Sequence, residues 1–160
     1  MDHLFTPWRH AYVSNPRPEE GCPLCGLASA EPSRDAASFV LQRARHHFLV
    51  LNIYPYNTGH LMIVPYLHVA RLSALPTDSL QEMVDLAARA EKVLEDVYRP
   101  EGINLGMNLG RCAGAGIANH LHLHLVPRWS ADTNFMTVSG ATRVLPEDLG
   151  ETWRRLQGRF

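Results

Sequence analysis

The stretch His120-Leu-His-Leu-His-Leu-Val126 constrains this chain more than any other. Polar and apolar residues alternate with a period of two, the period of a strand that buries one face. On such a strand His120, His122 and His124 share one face. Leu121, Leu123 and Leu125 share the other and can enter a core. Pro127 then ends the pairing. Three imidazoles stand in a row on a rigid backbone, beside a glycine-rich loop at residues 110–119.

Three readings fit that row. In the first, a half-buried strand happens to carry histidine on its polar face. Single histidines are usually of that kind, and three in register beside a flexible loop are much rarer. In the second, the row is a metal site, since imidazole binds zinc, copper and iron. Histidines two apart can share one ion, but a catalytic metal also needs a further ligand and an open position. In the third, one histidine is a nucleophile: neutral imidazole attacks well, and its phosphoramidate is labile enough to turn over. Alternation alone leaves the last two open.

Elsewhere the pattern predicts four more short strands, at residues 38–43, 47–52, 60–65 and 102–109, with the histidine strand at 120–126. Turn residues at 54–59 separate the second from the third. A helix is expected over residues 78–98, where Leu80, Met83, Val84, Ala87, Ala90, Val93, Leu94 and Val97 recur at helical spacing. Ser79 and Glu82 suit a capping box, and Pro100 stops the run. A second helix is expected over 146–155. Five short strands with one main helix predict an α+β domain on an antiparallel sheet. The 160 residues suit a single domain, with an arm at 1–37, a core at 38–130 and a tail at 131–160.

The formal net charge of −1 excludes the strongly basic surface of a general nucleic-acid binder but not a small anionic ligand. Three cysteines, Cys22, Cys25 and Cys112, do not make a disulfide framework. No basic, then apolar, leader opens the chain, and no run approaches the roughly 20 apolar residues of a membrane span. The expectation is a cytoplasmic protein with no membrane partner.

The motif His120 through Val126 resembles the defining motif of the histidine-triad superfamily. Asn52 through His60, followed by Leu-Met-Ile-Val-Pro65, resembles its upstream Asn…Gly-His segment, and Gly102 through Gly110 its phosphate-side strand. Within the superfamily the chain looks closest to the branch of Fhit-like dinucleoside polyphosphate hydrolases and bacterial diadenosine tetraphosphate phosphorylases. Thr6-Pro-Trp-Arg9, residues 51–65 and Pro127-Arg-Trp129 with Asp132-Thr-Asn-Phe135 carry that likeness.

The resemblance implies roles residue by residue. His122 is the nucleophile on the α-phosphorus and forms a nucleotidyl-histidine. His124 binds the phosphate or its leaving group. His60 joins the histidine network. Asn52 contacts the ribose and Asn108 the phosphate. Amides around Gly114, Gly116 and Ile117 line the phosphates. The loop Ala115-Gly-Ile-Ala-Asn119 departs from many relatives, which carry a hydroxyl there; that favours polyphosphate cleavage over phosphoramidase chemistry.

Cys22-Pro-Leu-Cys25 is by itself half of a metal site, a redox-active pair or an incidental one. The resemblance to zinc-containing triad proteins completes it with His68 and His120, implying a structural zinc on Cys22, Cys25, His68 and His120. Cys112 has no evident partner, and His3, His10, His46 and His47 read as surface or packing residues. The implied function is cleavage of a dinucleoside polyphosphate, or a related nucleotide conjugate, by water or by phosphate. Magnesium accompanies the substrate if any further metal does. The family implies a homodimer and favours adenine. The competing readings are a nucleotide-binding regulatory or scaffold protein with little turnover, a purine nucleoside phosphoramidase, and a triad metalloenzyme.

Overall fold

The computed structural model describes residues 21–130, 132–133 and 145–160. Thr6-Pro-Trp-Arg9, His3 and His10 lie outside the described residues. In chain order the elements are α1 (Pro23–Ser29), β1 (Val40–Arg43), β2 (His47–Leu51), β3 (Leu61–Pro65), α2 (Thr77–Tyr98), β4 (Gly102–Gly106), β5 (Leu123–Arg128) and α3 (Leu149–Leu156). The five strands form one sheet in the order β1-β2-β3-β5-β4, and every neighbouring pair is antiparallel. The expected α+β architecture is the observed one.

Alternation along the strands divides the apolar residues between the two faces. Leu49, Leu51, Leu61, Ile63, Leu123 and Leu125 point to one side, where α2 presents Met83, Leu86, Ala87, Ala90 and Leu94, and α3 adds Leu156. This is the main core. Phe48, Val50 and Val64 point to the other side and pack with Val40, Leu24 of α1 and Ile117 of the glycine loop. Met62 and His124 are paired across β3 and β5, so the histidine side chains emerge on this second face. Helix α1 therefore lies on the same face as the histidines.

Several boundaries differ from the sequence reading for identifiable reasons. The main helix starts at Thr77 behind Pro76, so Ser79 lies inside the first turn and cannot cap it. The capping box does not form. Asp78 Oδ1 accepts from the Ser79 amide at 3.0 Å instead. Glu82 Oε1 turns to the sheet and accepts from His46 N at 2.8 Å, with His47 Nδ1 at 3.0 Å. Val84 faces solvent, and Leu86 takes the core position. The helix ends at Arg99 with φ 47°, because the residue before Pro100 is barred from continuing the helix.

The histidine strand is shorter at its front. Leu121 N bonds to Val69 O at 2.7 Å, so residues 120–122 lead into β5, and the ladder begins at Leu123. The arm contains an element that periodicity did not reveal, the short helix α1. Strand β4 lies at the sheet edge with most of its residues exposed, including Leu105. No described helix is long and apolar enough to cross a membrane.

Candidate active site and metal centre

Three short hydrogen-bonded links organise the histidines. His122 Nδ1 lies 2.8 Å from the carbonyl oxygen of His120. A carbonyl only accepts, so Nδ1 carries the proton and the lone pair of Nε2 is left for a ligand. His60 is fixed in the opposite sense. Its Nδ1 accepts from the Tyr56 amide at 3.0 Å, which places its proton on Nε2. His60 Nε2–H then donates to His124 Nδ1 at 2.9 Å. In its neutral form His124 therefore carries its own proton on Nε2. His122 presents an unprotonated nitrogen and His124 an N–H donor, the first set by a backbone carbonyl and the second by the His60 side chain.

The surroundings hold these tautomers in place. His60 is buried and its pKa is lowered to about 3, first by loss of solvent and then by His124 and His122. It stays neutral through the physiological range. Tyr56 packs on His60 with ring centroids 4.6 Å apart and stacks on His124 at 5.8 Å. The His122 and His124 rings meet edge to face at 4.8 Å.

The turn before β3 sets His60. Gly59 adopts φ +75°, and its α-carbon faces the Tyr98 ring and Pro127 so closely that an added Cβ would lie 3.2 Å from each. Asn57 Nδ2 donates to Pro127 O at 3.1 Å and to Asp132 Oδ2 at 2.9 Å. Arg128 Nε donates to the same carboxylate oxygen at 2.6 Å and reaches Asn104 Oδ1 of β4 through another nitrogen at 2.9 Å. The His60 amide returns to Asn57 O at 3.2 Å. Neither Tyr56 nor the Asn57–Asp132–Arg128 network was assigned a role in the sequence reading. All four residues lie inside the stretches that carry the resemblance, but only contacts in space reveal what they do.

The remaining expected residues are placed as follows. Asn52 is buried at the end of β2; its Oδ1 accepts from Tyr54 N at 2.9 Å and its Nδ2 lies 3.4 Å from His60 Nδ1. It closes a turn and touches the histidine network at once. Asn108 follows β4 and is half-buried. Gly114, with φ +91°, and Gly116 are exposed on the loop that returns to His120, and Ile117 packs under it. Cys112 is exposed on the same loop. His47 is fully buried against Glu82 and Ser79, a packing role as expected.

Cys22, Cys25, His68 and His120 come together from three parts of the chain, and their four donor atoms lie within 4.8 Å of one another. Cys22 Sγ lies 3.3 Å from His120 Nδ1; Cys25 Sγ lies 3.1 Å from His68 Nδ1 and 3.4 Å from His120 Nδ1. Two donors on one tetrahedral zinc stand roughly 3.6 Å apart, so the set fits a single ion. His120 Nε2–H donates to Pro65 O at 2.9 Å, which leaves Nδ1 for the metal. Among the described residues this is the one group of histidine, cysteine and carboxylate donors that gathers in this way. His60 Nε2–H donates to His124 Nδ1, which removes that nitrogen from any metal shared by the triad.

The HIT domain family model matches residues 33–131. An AP-4-A phosphorylase from Mycobacterium tuberculosis is 39% identical over 98% of this chain and 83% of its own length. A bis(5'-nucleosyl)-tetraphosphatase (asymmetrical) from Schizosaccharomyces pombe is 30% identical over 59% of this chain and 52% of its own. Among solved structures, a Zn-bound histidine triad family protein from Mycobacterium smegmatis superposes with a TM-score of 0.68 at 25% identity, covering 88% of this chain and 93% of that one.

Proposed function

This chain belongs to the HIT family, and from that premise we propose that it is a phosphorylase of dinucleoside polyphosphates, with diadenosine tetraphosphate as the type of substrate. The likeness to an AP-4-A phosphorylase along nearly its whole length supports the choice of phosphate as acceptor. One observation carries the chemistry: the 2.8 Å bond from His122 Nδ1–H to the His120 carbonyl, which turns the Nε2 lone pair outward.

His122 Nε2 attacks the α-phosphorus and forms a P–N bond. The P–O bond to the polyphosphate breaks, ATP departs, and AMP remains on His122. His124 Nε2–H donates to the bridging oxygen or to a phosphate oxygen as charge builds there. Inorganic phosphate then attacks the same phosphorus, the P–N bond breaks, and ADP leaves with the imidazole restored. Loop amides at Gly114, Gly116 and Ile117 and the Asn108 amide hold the phosphate oxygens, and Asn52 holds the ribose. Magnesium travels with the polyphosphate.

Cys22, Cys25, His68 and His120 hold a zinc ion that takes no part in bond making. Its closed ligand set supplies rigidity, and His120 passes that rigidity to His122 through its own carbonyl. The exposed edge of β4, with Leu105 on it, supports pairing of two copies there.

Chromatography after incubation with diadenosine tetraphosphate tests the reading. ADP and ATP formed only when inorganic phosphate is present support it. AMP and ATP formed equally well without phosphate would make the protein a hydrolase, and binding without turnover would make it a nucleotide-binding module.

A further inference from the structure

The metal site is assembled from two bodies. His120 is held by the main chain of β3 through Pro65 O. Cys22 and Cys25 ride on α1, whose seven residues are too few to be stable alone. Cys22 is the residue before its first turn and makes no side-chain cap, and no basic residue of its own completes its last turn. What fixes α1 therefore fixes the two sulfurs.

Two anchors do so. Leu24 is buried among Val40, Phe48, Val50 and Val64. The polar anchor is Arg43, at the end of β1. One terminal nitrogen donates to Leu27 O at 3.0 Å and the other to Ala28 O at 3.3 Å. These are last-turn carbonyls of α1: Leu27 O otherwise takes only the 3.3 Å bond from the capping Ala30 amide. The same guanidinium grips Asp35, with Nε 3.1 and 3.0 Å from its two oxygens and a terminal nitrogen 2.7 Å from Oδ1. Its centre lies 6.0 Å over the Phe48 ring. A planar fork with donors on three nitrogens makes these five contacts at once; an ammonium, with three hydrogens on one nitrogen, cannot.

We infer that Arg43, set by Asp35, is a positioning residue for the metal site. It locks α1 onto the sheet so that Cys22 and Cys25 stand at the separation from His68 and His120 that one ion requires. The inference rests on the zinc reading above and deepens it, for Arg43 itself touches no donor atom.

Zinc affinity is the test, measured on the full chain by competition with a chromogenic chelator. The melting temperature is recorded with and without zinc, and far-UV circular dichroism checks the fold. Arg43→Ala is expected to weaken zinc binding about 10–100-fold, the usual effect of losing an outer partner of a metal site. Arg43→Lys keeps the charge without the fork and is expected to fall between. Because bound zinc stabilises the folded chain by mass action, the gap between the two melting temperatures should narrow in the same order. Unchanged zinc affinity, with both melting temperatures lowered equally, would overturn the inference and leave Arg43 a purely structural residue. A wild-type chain that takes up no zinc would remove the zinc reading and this inference together, and wild type alone tells that result from the other.

Discussion

His122 Nδ1–H donates to the carbonyl of His120 at 2.8 Å, while the ring of His120 is one of the four donors gathered with Cys22, Cys25 and His68. A single residue thus belongs to two sites: its side chain to the candidate metal centre, its backbone to the tautomer of His122. The two sites are adjacent because the triad alternates along one backbone, and α1 packs on the face that alternation exposes.

Removing the nucleophile should abolish turnover and spare binding. His122→Ala is expected to lower kcat by on the order of 10³-fold or more, with nucleotide affinity little changed. Isothermal titration with a non-hydrolysable dinucleotide, set beside initial rates, checks both halves. Substantial remaining turnover would place the nucleophile elsewhere.

Metal removal should act on stability first and on rate through His120. Purified protein is expected to hold one zinc per chain by atomic emission, and Cys25→Ser to release it. Dialysis against a strong chelator should lower the melting temperature and the rate together. Re-added zinc should restore both. A rate that follows metal occupancy at constant stability would instead mark the metal as catalytic.

Acid should destabilise the fold through His60. Its pKa is about 3 when folded, against an ordinary value near 6.5 when unfolded. Between those values the unfolded chain binds the extra proton. His60 therefore contributes fully above about pH 6.5, and its contribution is lost as the pH falls toward 3. Urea midpoints should fall from pH 7 to pH 4, and His60→Asn should flatten that slope. An equal slope in the variant would assign the acid sensitivity to other groups.

The Gly59 turn tolerates no side chain. With φ +75° and a Cβ that would meet Tyr98 and Pro127 at 3.2 Å, Gly59→Ala is expected to cost about 1–3 kcal/mol and to displace His60. Asp132→Ala acts on the same turn from the other side. It leaves Arg128 and Asn57 without their carboxylate and should cost about 1–3 kcal/mol. Denaturant titration gives both values; changes below about 0.5 kcal/mol would show that the turn is set by other contacts.

Much of this arrangement is legible in the residues. The period-two run from His120 placed the leucines in the core, and the spacing in α2 put Met83, Ala87, Ala90 and Leu94 on the sheet. The metal donors could be matched only through the resemblance, since 95 positions separate Cys25 from His120, and no local pattern joins them. Helix α1 escaped notice because seven residues with proline and glycine carry too little periodicity. The failed capping box has a similar cause: Ser79 and Glu82 have the right spacing, but His46 and His47, which are distant in sequence, take Glu82 instead. Which atoms of His60 and His124 face each other is likewise a property of two strands in register.

The most direct test of His122 as nucleophile is a rapid quench into alkali, which preserves a P–N bond, followed by peptide mass spectrometry. Enzyme mixed with diadenosine tetraphosphate in the absence of phosphate is expected to release ATP in one rapid turnover. It should carry a single AMP group on the peptide containing His122, and added phosphate should discharge that group as ADP. Products formed at the full rate with no adduct on His122, or an adduct that survives in His122→Ala, would contradict the account.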